Sequence, residues 1–235
     1  MATIAENIQE QHERIAAACA QAGRAVQSVT LLVVSKTQPP AAIAEAFAAG
    51  EHRFGENYVQ EGLDKIAALS AINTPRGQLE WHLIGPLQSN KTRPVAENFD
   101  WVHSVDRLKT AQRLAEQRPA ELPPLNICLQ VNISGEASKS GLLPGEVAAL
   151  ALAVSALPRL CLRGLMAIPE PAADFESQRR PHRALASLLA ELNQSLGLTM
   201  DTLSMGMSAD LEAAIAEGAT LVRIGTAIFG ARNYT

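Results

Sequence analysis

Residues 31–37 read Leu-Leu-Val-Val-Ser-Lys-Thr, and the prediction of the fold starts from this stretch. Four apolar residues without polar alternation predict a strand that is buried on both faces, as strands of parallel sheets are. The run leads directly to Lys36, after which Pro39-Pro40 opens an alanine-rich helix that Gly50 closes. A buried strand followed by a helix is the repeating unit of parallel α/β folds.

The same unit recurs along the rest of the chain. Strands are predicted over residues 31–34, 52–57, 79–84, 100–105, 125–133, 161–168, 202–207 and 221–224, with helical periodicity between them. Eight repeats predict a closed (β/α)8 TIM barrel, to which an extra N-terminal helix over residues 3–22 is added. The alternative is an open doubly wound sheet, but its Gly-x-Gly-x-x-Gly turn after the first strand is absent. No composition break divides the chain, so we expect one domain over residues 1–235.

The composition excludes several classes of function. A net charge of −4 argues against a general nucleic-acid or membrane-surface binder, and 47% hydrophobic residues is ordinary for a globular protein. The three cysteines are odd in number and widely spaced, which is typical of a reducing compartment and not of disulfides or a zinc site. No apolar run approaches the ~18 residues of a membrane span, and the N-terminus lacks the pattern of a signal peptide. We therefore expect a cytoplasmic protein without metal, nucleic-acid or membrane partners.

Lys36 lies where the first predicted strand ends, and barrel enzymes carry their active residues at these ends. A lysine there is held away from bulk water, and a neutral amine in a shaped cavity is the group that Schiff-base chemistry requires. The alternative is that the side chain extends to solvent and has no chemical role.

Two glycine-containing segments near the end of the chain indicate phosphate binding. Ser204-Met205-Gly206-Met207-Ser208 follows the seventh predicted strand, and Gly225-Thr226 follows the eighth. Loops at these positions are the usual phosphate site of such barrels, because helix N-termini there present unpaired amides. The alternative is that Ser208 is an ordinary helix cap and Gly225 an ordinary turn.

A Schiff-base lysine and a phosphate site in one barrel indicate pyridoxal 5'-phosphate (PLP) as the cofactor. The rival interpretation is an aldolase that acts on a phosphorylated sugar. Arg223 favours PLP, because it lies two residues before Gly225 and is predicted to point inward near the phosphate. An arginine that faces a pyridine nitrogen donates a hydrogen bond but no proton, which leaves the ring a weaker electron sink.

Eight stretches at or near the predicted strand ends carry a resemblance to a known family. They read Val-Val-Ser-Lys-Thr (33–37), Phe-Gly-Glu-Asn-Tyr (54–58), Trp-His-Leu-Ile-Gly-Pro-Leu-Gln-Ser-Asn-Lys (81–91), Val-Asn-Ile (131–133), Ser-Lys-Ser-Gly (138–141), Arg-Gly-Leu-Met-Ala-Ile (163–168), Leu-Ser-Met-Gly-Met-Ser (203–208) and Val-Arg-Ile-Gly-Thr-Ala-Ile-Phe-Gly (222–230). Together they resemble the pyridoxal phosphate homeostasis proteins, one-domain relatives of the alanine racemase N-terminal barrel. The resemblance covers nearly the whole chain.

The resemblance implies PLP bound as an aldimine on Lys36, with Arg223 facing the pyridine nitrogen. It implies that Asn57 and His82 line the cofactor ring. Phosphate contacts are implied for Ser204, Met207, Ser208, Gly225 and Thr226. Lys139, after the fifth strand, is either an ordinary surface lysine or a second contact for the aldehyde.

The resemblance also bears on catalysis. Alanine racemases add a C-terminal β-domain, which supplies a catalytic tyrosine opposite the lysine in the dimer, whereas this sequence ends at Thr235. A racemase needs a base on each face of its substrate, and Tyr58 and Tyr234 are not evident replacements. We therefore expect a monomeric PLP carrier that sequesters the cofactor and delivers it to PLP-dependent apoenzymes. The alternatives are a weak amino-acid racemase or other PLP enzyme, and a Schiff-base aldolase without PLP.

Overall fold

The computed structural model describes residues 2–73, 77–136 and 140–230, and in these ranges eight strands alternate with helices. The strands are β1 (Thr30–Val34), β2 (Arg53–Glu56), β3 (Glu80–Leu83), β4 (Trp101–Val105), β5 (Leu125–Gln130), β6 (Leu160–Met166), β7 (Thr202–Ser204) and β8 (Leu221–Ile224). The helices are α1 (Ile4–Gln21), α2 (Pro40–Ala48), α3 (Val59–Ala68), α4 (Thr92–Asn98), α5 (Leu108–Gln117), α6 (Pro144–Ser155), α7 (Phe175–Leu196), α8 (Leu211–Ala216) and α9 (Thr226–Phe229).

The eight strands form a closed parallel barrel in sequence order. Closure is made by β8 and β1, which pair from Thr30 with Leu221 to Val33 with Ile224. The predicted (β/α)8 barrel is therefore confirmed. The extra helix α1 is confirmed as well, and it packs against α2, α8 and α9 beside this closure. Its first turn is capped by Thr3, whose hydroxyl accepts from the Glu6 amide in a capping box.

Several strands end earlier than the apolar runs predict. The seventh strand was expected to reach Met207, but β7 ends at Ser204. The reason is a turn at Gly206, whose φ of +93° is outside the range of a strand. A Cβ at this position would also lie 2.6 Å from the Cβ of Ala214 on α8. Met205 and Gly206 are buried although they lie past the ladder, whereas Met207 is exposed, so hydrophobicity alone overestimates the length of the strand.

The barrel separates an apolar outer layer from a polar interior. Outward-facing residues such as Val33, Ile127 and Val222 pack with the helices in one large hydrophobic core. The inside contains a small apolar cluster of Trp101, Cys128 and Met166. Beside it lie polar side chains that are almost completely buried, namely His82, His103, Ser204 and Arg223. Buried polar groups require partners, and in a barrel they find them across the interior.

Two structural findings concern membranes and cysteines. None of the described helices combines the length and hydropathy that a bilayer span requires. Cys19 and Cys128 are buried thiols and Cys161 is an exposed one, and all three are free.

Candidate functional site

A cavity of about 340 Å³ opens at the C-terminal ends of the barrel strands. Seven of the nine predicted site residues line it, namely Lys36, Asn57, Met207, Ser208, Arg223, Gly225 and Thr226. The remaining described lining residues are Val34, Thr37, Gln38, Ile84, Ile168, Ala209 and Gly230. The residues come from the ends of six strands that are far apart in the sequence, which is how barrel enzymes assemble their sites.

Lys36 follows β1 and is partly buried in the wall of this cavity. No residue in the described ranges forms a hydrogen bond or an ion pair with its Nζ atom. The amine is therefore free to react with a ligand in the cavity.

A second lysine, Lys65 on α3, stabilises the turn that carries Lys36 through hydrogen bonds. Lys65 is 3% exposed, and its Nζ atom donates to Ser35 O at 2.7 Å, to Glu56 Oε1 at 2.8 Å and to Glu61 Oε1 at 2.6 Å. Ser35 Oγ donates to the same Glu56 oxygen at 2.6 Å. The backbone before Lys36 is thus connected to a buried ion pair, which limits its movement.

The residue after Lys36 is held as well. Thr37 has a positive φ of 65°, which is unusual for a β-branched residue and carries strain. Its amide donates to Glu61 Oε1, the oxygen that also accepts from Lys65. Burial raises the pKa of the Glu56 carboxyl above its ordinary value, although hydrogen bonds from Lys65 and Ser35 act in the opposite direction. The only local signal of this network in the sequence is the spacing of Glu61 and Lys65, one helical turn apart, and it does not predict the contacts with Ser35 and Glu56.

Ser208 and Thr226 both line the cavity and are partly open to solvent, at its rim. Each offers a hydroxyl group, and the backbone amide of each donates to no acceptor within the described part of the chain. The amide of Met207, in contrast, is already used, because it donates to Asp210 Oδ1 at 2.7 Å. A ligand anion therefore meets two hydroxyls and two free amides here, a donor set that suits a phosphate.

Gly225 allows the loop after β8 to lie against the end of β1. A Cβ at this position would lie 2.8 Å from Val34 O, closer than side-chain carbons come in proteins. Any larger residue would force the backbone before Thr226 away from the end of β1, so Gly225 shapes the cavity through its own backbone.

Arg223 forms the base of the cavity and is 4% exposed. Its NH1 group donates to Ser204 O at 2.5 Å and to Ser204 Oγ at 2.8 Å, and its NH2 group donates to Ala167 O at 2.8 Å. Of the five N–H bonds of a guanidinium, two are left for a ligand. Burial lowers the pKa of Arg223 to about 10, against the attraction of Asp210, so the group is positively charged at neutral pH.

Two predicted residues, Ser204 and His82, do not line this cavity. Ser204 lies beneath Arg223, as its contacts show. His82 instead lines a second cavity, of about 380 Å³, at the N-terminal ends of the strands. The expected contact of His82 with a cofactor ring is not supported, because its two ring nitrogens already contact Glu80 and His103. Lys139 lies outside the described residues.

The residues of the first cavity fit PLP. Lys36 is a free primary amine for the aldehyde, and the rim donors at Ser208 and Thr226 suit the phosphate. Arg223 is a charged donor suited to the pyridine nitrogen. Asn57 adds a buried side-chain oxygen, Oδ1, that accepts no hydrogen bond, as expected of a group whose partner is a ligand. No group of three or more potential metal ligands is formed by the residues that the structure describes.

Comparisons with known proteins agree with this geometry. The family model described as alanine racemase, N-terminal domain, matches residues 5–233. A pyridoxal phosphate homeostasis protein of Pseudomonas aeruginosa is 63% identical over 234 residues, which are 100% of this chain and 98% of that protein. The structure of PipY of Synechococcus elongatus PCC7942, solved with PLP bound, has 38% identity and a TM-score of 0.80 and covers 97% of this chain and 100% of that one. An alanine racemase of Clostridium difficile 630 shares the fold alone, at 12% identity and a TM-score of 0.71 over 95% of this chain and 57% of that one.

Proposed function

The chain belongs to the pyridoxal phosphate homeostasis proteins, within the alanine racemase N-terminal domain family, and on that premise we propose that it binds PLP in the cavity at the C-terminal end of its barrel. Its role is to hold this reactive aldehyde and to deliver it to PLP-dependent apoenzymes. The observation that carries the proposal is the meeting of the free Lys36 amine, the charged Arg223 and the rim donors of Ser208 and Thr226 in one cavity.

Each group has its own part in holding the cofactor. When bound, PLP supplies an aldehyde that condenses with amines and a ring that delocalises negative charge. Lys36 Nζ would hold the aldehyde of the cofactor, and Ser208 and Thr226 would bind its phosphate. Arg223 would donate a hydrogen bond to the pyridine nitrogen and keep its own proton. Asn57 Oδ1 would accept a hydrogen bond from a donor group of the ligand.

The cavity favours a carrier over a racemase. Racemisation needs one proton-transferring group on each face of the substrate. Among the described lining residues, Lys36 is the side chain with an ordinary role as a base, because the others are apolar, amide, hydroxyl or glycine residues and a charged arginine. Tyr58 is 59% exposed and does not line the cavity. We infer that the protein retains PLP without robust turnover of amino acids; weak racemisation is the alternative.

Delivery is tested by transfer to a purified apo-aminotransferase in the presence of a phosphatase that destroys free PLP. We expect the PLP-loaded protein to reactivate the aminotransferase under these conditions, because direct transfer avoids the solution. Free PLP at the same concentration is the control and should be consumed. Equal loss of reactivation in both samples would show that the protein only releases its cofactor and would contradict delivery.

The phosphate subsite is tested by comparing PLP with pyridoxal, which lacks the phosphate. Ser208→Ala and Thr226→Val should each weaken PLP binding by about tenfold to hundredfold, the effect of losing a hydrogen bond to a charged group. Neither substitution should change the affinity for pyridoxal. Equal losses for both ligands would place the phosphate elsewhere.

We also propose a cytoplasmic location and a monomeric state. The three free thiols fit a reducing compartment. Lys36, Ser208, Arg223 and Thr226 all come from the same chain, so the proposed set of PLP contacts includes no group from a second copy. Light scattering at working concentration measures the oligomeric state, and a stable dimer would contradict the second part.

A further inference from the structure

A line of hydrogen bonds runs through the barrel interior between its two cavities. It begins at Glu80, whose Oε1 lies 2.8 Å from His82 Nε2. His82 Nδ1 lies 2.9 Å from His103 Nε2, and His103 Nδ1 lies 2.8 Å from Ser204 Oγ. Arg223 NH1 then donates to the same Ser204 oxygen at 2.8 Å. We call these five residues, from β3, β4, β7 and β8, the interior chain.

The two ends of the interior chain have different environments. Glu80 lines the cavity at the N-terminal end of the barrel, and 37% of its side chain is exposed. His82, His103 and Ser204 are completely buried. Arg223 lines the opposite cavity, in which we place PLP. The interior chain therefore joins a group that contacts solvent to the group that faces the proposed cofactor ring.

The charges at the ends determine the direction of every hydrogen bond between them. Arg223 has only donors, so Ser204 Oγ accepts from it and its hydroxyl proton is free to point to His103 Nδ1. An ionised Glu80 has only acceptors, so His82 Nε2 must carry a proton. His82 Nδ1 then accepts from His103 Nε2, and both imidazoles are neutral with the proton on Nε2.

The electrostatics agree with this assignment. Burial lowers the pKa of His82, although the hydrogen bond to Glu80 acts against it. Burial, together with His82 and Arg223, holds the pKa of His103 well below its ordinary value. Burial acts to raise the pKa of Glu80, but His82 and Arg53 together bring it below the ordinary carboxyl value. At neutral pH the interior chain therefore has two neutral histidines between an anion and a cation.

We propose that His82, His103 and Ser204 are positioning residues that hold Arg223 against the cofactor, and that the negative charge of Glu80 fixes the direction of their hydrogen bonds from the opposite end of the barrel. Without that charge the order can reverse, with His82 Nδ1 donating to His103 and His103 Nδ1 donating to Ser204. Ser204 Oγ would then accept hydrogen bonds from both His103 and Arg223, which weakens its hydrogen bond with Arg223. The inference rests on the proposed function for the identity of the ligand, but the tautomers are a property of the protein alone.

The first test is ¹⁵N NMR of the histidine rings in the protein without ligand. We expect His82 and His103 of the wild type to be neutral Nε2–H tautomers. Glu80→Gln should convert them to a mixture, because an amide offers both an acceptor and a donor to His82. The control is Asp201→Asn, which alters a carboxylate of the same cavity that pairs with Arg163 outside the interior chain. A wild-type Nδ1–H tautomer, or no change in Glu80→Gln, would overturn the proposal.

The second test measures the affinity for PLP and the absorption spectrum of the loaded protein. Glu80→Gln should weaken binding by about two- to tenfold, the effect of one weakened hydrogen bond, and should shift the absorption maximum. Asp201→Asn should change neither quantity. Equal effects of Glu80→Gln and Asp201→Asn would overturn the proposed link between Glu80 and Arg223. A purely structural role of the carboxylates in the second cavity would make both substitutions act alike. If the wild type does not take up PLP, the proposed function fails, and the proposed effect of Glu80 on PLP binding fails with it. The histidine tautomers of the ligand-free protein still decide the direction of the hydrogen bonds in the interior chain.

Discussion

Lys36→Ala is expected to abolish covalent attachment of PLP. Lys36 is the lysine in the described wall of the cavity, and its amine has no partner within the described part of the protein. After incubation with PLP and reduction with borohydride, the wild type should carry the cofactor mass on the peptide that contains Lys36. The variant should carry none, and its visible absorption band should be lost. Because Arg223, Ser208 and Thr226 are unchanged, the variant should still bind PLP, weakly and reversibly.

The neighbouring Lys65 is not expected to replace Lys36, because three acceptors hold its amine in a buried position. Lys109→Ala is the matched control, since Lys109 is exposed on α5 and does not line the cavity. It should react like the wild type. A cofactor adduct on any other lysine of the Lys36→Ala variant, at wild-type yield, would refute the assignment of Lys36 and of the cavity with it.

Lys65→Met should cause the largest loss of stability among the site residues. The substitution removes the cation beside Glu56, whose side chain is completely buried. Leaving a buried charge without its partner costs about 3–5 kcal/mol in the free energy of unfolding. Urea unfolding of apo-protein measures this loss, and Lys109→Met, at an exposed site, should stay within about 0.5 kcal/mol of the wild type.

The loss should depend on pH in a defined direction. Burial already raises the pKa of Glu56, and the removal of Lys65 raises it further. A carboxyl whose pKa is higher in the folded state than in the unfolded state favours folding at low pH and loses that contribution as the pH rises. The destabilisation of Lys65→Met should therefore be smallest below the ordinary carboxyl range and largest above it.

A double substitution separates the ion pair from the packing around it. Glu56→Gln removes the carboxylate charge that Lys65→Met leaves without a partner. The loss of unfolding free energy in the double variant should therefore be smaller than the sum of the two single losses. The double variant should nevertheless react more slowly with PLP than the wild type, because Ser35 O loses its lysine donor. Additive losses would show that Glu56 and Lys65 stabilise the fold independently.

Apolar runs in the sequence predicted which residues lie at the strand ends, but they did not predict the hydrogen-bond partners of side chains inside the barrel. Lys36, Ser208 and Gly225 were identified because each follows an apolar run at the end where barrels place their sites. His82 was assigned to the cofactor ring from the resemblance, and alternation along its strand predicts only which face a residue occupies, not its depth in the barrel. Its side chain lies one level lower, where Glu80 and His103 contact it.

The repeating strand–helix units, the closed barrel and the resemblance from which PLP was inferred follow from the sequence alone, because burial patterns and motifs are formed by consecutive residues. Which side chains meet depends on the folded structure. His103 and Ser204 are 101 positions apart in the chain, and Ser35 and Lys65 are 30 apart, yet each pair shares a hydrogen bond. Such contacts depend on the register and closure of the barrel, which bring β4 opposite β7 and α3 beneath the turn after β1. The physical reason is that a buried polar group must find a partner in space, and its position in the sequence does not say which one.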